Sequence, residues 1–259
     1  MSIIIRSTLF NAAFYLVLLG YLIAAIPTFF LPRRAIIEVA KAWGRTNIWL
    51  LRAICDIRVE FRGLEKIPAG SALIAAKHQS AWETFGLFTL FDDPAFILKR
   101  ELQWIPFFGW YTIKARMIPV DRGARGQALA AMTEAARREF AHGRQLLIFP
   151  EGTRRPVGAE PRYKFGVAQL YAECGVPCVP VALNSGLFWP RRTYLRYPGT
   201  VRVEILDPIM PGLSKEEFLA HLQAVIEASA SRLVAEGRRD LAERGIAAGP
   251  PNGEPDQPD

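Results

Sequence analysis

The sequence predicts an α/β domain, a largely parallel sheet flanked by helices, preceded by an N-terminal membrane-associated helical segment. Three observations predict it. From Asp56 onward, short apolar runs alternate with helical patterns, as strands joined by crossover helices do. Between Arg6 and Arg33 lie 26 residues without a charge. The chain is also 51% hydrophobic over 259 residues, with a positive mean hydropathy, more apolar than an ordinary soluble domain.

The uncharged N-terminal run includes Phe14 to Leu19 and Leu22 to Ile26. As a helix it would extend about 39 Å, against a hydrocarbon core of about 30 Å. It is long for a cleaved signal peptide, and Pro27 to Pro32 is a poor small-residue cleavage site. Arg33 and Arg34 then fall at the cytoplasmic headgroups. Residues 36–54 read as a second helix that interleaves Trp43, Trp49, Leu50 and Leu51 with Lys41, Arg45 and Arg52. That pattern suits a helix in the membrane interface or one packed on the globular domain. The pair forms either a hairpin dipping into one leaflet or one span plus a surface helix. Residues 1–55 are therefore expected as a membrane-anchoring two-helix segment, 56–245 as the main domain and 246–259 as a disordered tail.

Strands are predicted at 56–61, 72–76, 95–99, 116–120, 145–149, 178–184 and 200–206. Helices are predicted near 81–91, 101–114, 124–141, 164–174 and 215–244. Gly143 stops the third of these helices before the strand Leu146-Leu147-Ile148-Phe149. Ser214 and Glu217 stand at capping-box spacing before the last helix. The tail from Gly249 holds three acids and no base, so the rest of the chain is more basic than its net charge of +7. A basic excess suits anionic lipid, a phosphorylated substrate or nucleic acid. Cys55, Cys174 and Cys178 read as free thiols, since Cys174 and Cys178 have no nearby partners to complete a zinc site.

In such sheets, ligand sites gather at the carboxyl ends of strands. Three polar clusters fall there. His78 follows strand 72–76 and opens His-Gln-Ser-Ala-Trp-Glu83. A carboxylate reaching back from a helical first turn would fix the imidazole tautomer and leave the other ring nitrogen as a base. Asp121-Arg122 follows strand 116–120. Phe149-Pro150-Glu151-Gly152-Thr153-Arg154 ends strand 145–149; its glycine permits close backbone approach and its arginine fork suits phosphate oxygens. No G-x-S-x-G elbow supports Ser80 as a nucleophile. The chain also lacks a Walker loop and an H-E-x-x-H helix. His142 and His221 read as structural.

Together these residues resemble the glycerolipid acyltransferases, specifically the bacterial 1-acyl-glycerol-3-phosphate acyltransferases. His78 to Glu83 resembles the family's His-x4-Asp block, with Glu83 where the family usually has Asp. Lys99-Arg-Glu-Leu102, Pro106-Phe-Phe-Gly109 and Ile118-Pro-Val-Asp-Arg122 resemble the second block. Phe149 to Arg154 resembles the third and Val179-Pro-Val-Ala-Leu183 the fourth. All four stand in family order across about residues 70–185.

The resemblance implies acyl transfer from acyl-CoA or acyl carrier protein to the sn-2 hydroxyl of lysophosphatidate at the inner (cytoplasmic) membrane, on its cytoplasmic face. His78 would act as the base and Glu83 as its partner, with no covalent acyl-enzyme, metal or cofactor. Lys99, Arg122, Glu151, Gly152, Thr153 and Arg154 match positions that bind the glycerol phosphate. Alternative acceptors are another lysolipid, such as a lyso-ornithine lipid, or glycerol 3-phosphate. A membrane-surface binding protein is the non-enzyme alternative. A nucleic-acid binder would need bases and aromatics on one exposed face. The densest such stretch, Trp189 to Tyr197, suits lipid headgroups or an acidic carrier protein equally, and the apolar N-terminus favours the membrane.

Overall fold

The computed structural model describes residues 2–121 and 125–246. Seven strands form one sheet: β1 (Ile57–Arg62), β2 (Ala72–Ala76), β3 (Pro94–Lys99), β4 (Ile118–Val120), β5 (Gln145–Ile148), β6 (Cys178–Leu183) and β7 (Gly199–Ile205). Their order is β1-β7-β6-β2-β5-β3-β4. Every neighbouring pair is parallel except β6 and β7. The carboxyl ends of β2 to β6 therefore share one rim, while β1 and β7 run the other way. Each strand falls within two residues of the predicted boundaries: β2 and β6 are near-continuous apolar runs buried on both faces, while β1 and β7 alternate apolar with polar residues.

Helices α1 (Ile3–Ala24), α2 (Arg33–Cys55), α3 (Glu83–Gly86) and α4 (Phe108–Lys114) precede α5 (Arg125–Phe140), α6 (Gly166–Cys174) and α7 (Lys215–Glu243). Alternation along β2 separates two cores. Ile74 and Ala76 pack with Leu147, Val181, Leu51 and Trp82 on the α1–α3 side. Leu73 and Ala75 pack with Met132, Val167, Phe218 and Ile226 on the α5–α7 side. Gly143, at φ +77°, ends the chain's turn out of α5, and Ser214 and Glu217 form the expected capping box on α7.

Two predicted helices are corrected. The pattern over 81–91 supports only α3 followed by a 3₁₀ turn at Leu87–Leu90. The helix expected over 101–114 is split into a 3₁₀ turn, Arg100–Trp104, and α4. Pro106 is the reason: it holds Ile105 extended, at φ −69° and ψ 121°, out of the helical region. Phe107 then adopts φ 62° and ψ −60°, and the amide of Phe108 donates to the Pro106 carbonyl at 2.7 Å. This is a γ-turn of the strained hand, a conformation that costs about 1–3 kcal/mol. Gly109 permits it, since a Cβ there would stand 2.0 Å from the Gln103 carbonyl oxygen.

The N-terminal helices pack on the α/β body. Gly44 lets α2 approach α3 closely, where a Cβ would come within 2.9 Å of the Phe85 carbonyl oxygen. At the start of α2, Arg33 forms a two-pronged ion pair with buried Asp93, which also accepts from Arg144 Nε at 3.2 Å. Burial opposes ionisation of Asp93, yet the two guanidinium groups hold its carboxyl below the usual range. At the other end, Arg196 stacks 3.9 Å over Trp189 and donates to Asn11 Oδ1 at 3.0 Å, and its backbone amide donates to Ser7 Oγ at 2.8 Å. Tyr111 donates to the Leu22 carbonyl at 2.6 Å. Helix α1 is thus held along its length, and its other side leaves Leu16, Leu19 and Ile23 exposed.

Candidate active site

The site begins where β2 ends. Lys77 and His78 leave the strand, and the chain turns through Gln79 to Trp82 so that α3 starts at Glu83 itself. From that first position the longer glutamate side chain folds back. Its Oε2 lies 3.1 Å from His78 Nδ1. Both oxygens accept from the Ser80 amide, at 3.0 and 2.9 Å, and Oε1 accepts from the hydroxyl of Ser185. Glu83 is fully buried. Every neighbour other than the imidazole is a donor, so a carboxylate here assigns the proton to Nδ1 and leaves Nε2 as the acceptor. The His78 ring stacks on Phe149, with centroids 3.9 Å apart.

Glu151 is the second buried carboxylate, but it does not face a ligand space. Its Oε1 pairs with Lys77 Nζ at 2.9 Å and its Oε2 accepts from the His78 backbone amide at 3.0 Å. Lys77 also reaches Glu227 of α7 at 2.7 Å, and Tyr163 donates to the same Glu227 oxygen. Burial pushes the Glu151 carboxyl up, opposed by Lys77 and by the His78 amide. Burial and the neighbouring carboxylates likewise push the Tyr163 phenol up. The geometry therefore uses Glu151 to fix the backbone of the histidine, whereas its family position suggested substrate contact. The loops are tied further by the Arg155 amide on the His78 carbonyl, 2.8 Å, and the Gly186 amide on Gln79 Oε1, 3.1 Å.

Beyond Glu151 the loop turns outward. Gly152 adopts φ +68°, and a Cβ there would meet the Lys164 side chain at 2.9 Å. Thr153 and Arg154 then line the mouth of a cavity of about 590 Å³ together with His78 and Lys99. Its depth is apolar, running between the sheet and the N-terminal helices past Phe96, Phe88, Trp43 and Leu22. A smaller cavity of about 300 Å³ opens from His78 on the opposite face, toward Leu129, Met132 and Lys164. The exposed Arg154 has no carboxylate partner among the described residues. Lys99 lies 3.6 Å from Glu101, and Arg100 pairs with Asp121 at 3.1 Å. Arg122 lies outside the described residues, as does the expected tail beyond residue 246.

Of the predicted site residues, His78, Lys99, Gly152, Thr153 and Arg154 come together at one mouth, with Glu83 and Glu151 buried directly behind it. Lys77, Ser185, Glu227 and Lys164 join them unannounced. Ser185 sits just past the end of β6, so the strand-end rule that found His78 also covers it.

Known proteins resemble the chain over most of its length. A family model described as Acyltransferase matches residues 58–184. The chain is 38% identical to a 1-acyl-sn-glycerol-3-phosphate acyltransferase of Pseudomonas aeruginosa, across 90% of this chain and 91% of that one. It is 30% identical to the 1-acyl-sn-glycerol-3-phosphate acyltransferase alpha of Mus musculus, across 73% and 71%. The crystal structure of the 1-acyl-sn-glycerophosphate (LPA) acyltransferase PlsC of Thermotoga maritima superposes with a TM-score of 0.75 at 26% identity, covering 90% of this chain and 98% of that one. The chain belongs to the 1-acyl-sn-glycerol-3-phosphate acyltransferase family.

Proposed function

We propose that this protein transfers a fatty acyl group from a thioester, acyl-CoA or acyl carrier protein, to the sn-2 hydroxyl of 1-acyl-glycerol 3-phosphate, giving phosphatidate. The observation that carries this reading is the His78–Glu83 pair at the mouth of a long apolar cavity, with Arg154 on the same rim. A cavity of this size falls in the range of small-ligand sites, about 300–1,000 Å³. It starts at the histidine, where the reacting carbonyl must lie, and is apolar from there inward, which suits the acyl chain being transferred. Each buried methylene contributes about 0.8 kcal/mol.

His78 Nε2 removes the hydroxyl proton as the oxygen attacks the thioester carbonyl. Glu83 holds the ring and balances its positive charge while the tetrahedral intermediate forms. Collapse breaks the carbon–sulfur bond, and the proton on Nε2 passes to the departing thiolate. The ester, the free thiol and the starting form of His78 result. No acyl-enzyme forms on this route. Arg154, with Lys99, Thr153 and Gly152, receives the phosphate, where arginine's fork matches its oxygens. Arg122 is assigned to the same role by its family position.

Helix α1 is held to the body at both ends, by Asn11 and Ser7 with Arg196 and by Leu22 with Tyr111. That attachment supports α1 and α2 lying in one leaflet over a span standing clear of the body. The basic excess favours the anionic cytoplasmic leaflet of the inner membrane.

The test is phosphatidate formation by purified protein in detergent micelles, with acyl-CoA and acyl carrier protein compared as donors. A panel of lysophosphatidate, a lyso-ornithine lipid and glycerol 3-phosphate decides the acceptor. Preference for lysophosphatidate is expected; turnover of only another acceptor would reassign the substrate, and no turnover with any would refute the reading.

A further inference from the structure

The segment running from the end of β3 through α4 presents an apolar surface that the chemistry does not use. Trp104, Ile105, Phe107, Trp110 and Ile113 are all exposed, Trp104 to 69%. Their exposure is built in. The strained turn at Phe107 and the glycine-only contact of Gly109 with Gln103 fix the segment in this shape, and strain of this kind persists only where the surroundings enforce it. Large apolar patches on a protein surface mark a partner or a membrane.

The identity of the partner follows from what adjoins the patch. Tyr111 stacks on Phe29 at 5.1 Å, and Lys114 donates to the carbonyl of Leu31 at 2.8 Å. The patch therefore continues into exposed Phe29, Phe30 and Leu31, and through them into the outward side of α1. Between Lys99 and Arg116 the segment carries four bases, Lys99, Arg100, Lys114 and Arg116, against one acid, Glu101. Tryptophans beside bases and an apolar tip are the composition of a surface seated at anionic headgroups.

We propose that residues 104–113 form a second bilayer-inserting element, distinct from α1 and α2, that seats the mouth of the His78 cavity at the headgroup level of an anionic lipid bilayer. Phe108 and Tyr111 of this element, with Leu102 just before it, line that cavity, so the inserted surface and the entrance are one structure. A lysolipid then reaches Arg154 without leaving the membrane. This rests on the acyltransferase reading for its purpose, but not for its test.

The test places an environment-sensitive NBD label at Phe107→Cys, with Leu16→Cys on α1 and Arg238→Cys on α7 for comparison. Vesicles of phosphatidylethanolamine and phosphatidylglycerol carry a doxyl-labelled lipid. Labels at positions 107 and 16 are expected to shift blue and be quenched, and the label at 238 to do neither. An unquenched label at 107 beside a quenched one at 16 overturns the proposal while membrane binding by α1 stands. If neither is quenched, the proposal and the membrane reading both fail. Shielding at 107 that grows with protein concentration in the absence of vesicles would assign the patch to a second copy of the chain and overturn the proposal. In the Trp104→Ser/Trp110→Ser double variant, vesicle partitioning should fall about tenfold or more, while turnover of a short-chain, monomerically dispersed lysophosphatidate is unchanged. Unaltered partitioning would contradict the insertion.

Discussion

Two polar clusters meet at the mouth of the cavity, and they differ in what satisfies them. Around His78 the protein supplies the partners itself: Glu83 is held by Ser80 and Ser185, and Glu151 by Lys77 and the histidine's own amide. On the neighbouring loop, after β5, Arg154 lines the same cavity and is exposed with no carboxylate beside it among the described residues. The first arrangement fixes geometry before substrate arrives, as preorganised catalysis requires. The second leaves a cation to be satisfied by the ligand. On the proposed mechanism chemistry and binding fall to different loops, and substitutions on the two sides should separate kcat from KM.

The largest effect is expected at His78. Removing a general base lowers turnover by about 10²–10⁴-fold, so His78→Ala should form phosphatidate at a small fraction of the wild-type rate with its circular dichroism unchanged. Glu83→Gln comes next, with kcat lower by about 10²-fold, because the amide no longer enforces the Nδ1–H tautomer. Glu83→Asp sharpens the comparison. Aspartate is the acid usual in the family, but Ser80 and Ser185 here are placed around a carboxylate one methylene longer. The shorter side chain should lose about tenfold in kcat, a loss of roughly 1.4 kcal/mol. Full activity in Glu83→Asp would mean the pocket closes around either acid.

Ser185→Ala tests the positioning side from the end of the adjacent strand, β6. Losing one hydrogen bond to a charged group costs about 1.5–3 kcal/mol. A drop in kcat at constant KM is predicted, and Ser185→Thr, which keeps the hydroxyl, should recover part of it. The smallest effect is thermal. The Glu151 carboxyl is raised by burial, so its folded form takes up a proton more readily than the unfolded chain. Its contribution is then most favourable below the ordinary glutamate value of 4.5 and is lost as pH rises through the raised folded value. The Tm of Glu151→Gln minus that of wild type should therefore climb with pH across this window. A flat difference would mean that Lys77 offsets the burial completely.

The sheet was legible because its strands are short apolar runs bounded by turn residues, and the rim followed from their alternation with helices. The pattern over 101–114 predicts one helix, but Pro106 restricts Ile105 to an extended conformation and breaks it. His78 with Glu83 was readable because both lie within one turn region. Glu151 shows the limit: three residues beyond β5, no periodicity tells which way a loop side chain points, and it turns inward while Arg154 turns outward. Glu227, from the last helix, is brought to Lys77 only by packing, so nothing local in the sequence marks it.

The most direct test of this division is an initial-rate titration of lysophosphatidate for Arg154→Ala and Glu83→Gln in parallel. Arg154→Ala should raise KM by about tenfold and leave kcat within about twofold, while Glu83→Gln should lower kcat and leave KM in place. An unchanged KM in Arg154→Ala, or a Glu83→Gln defect confined to KM, would contradict it.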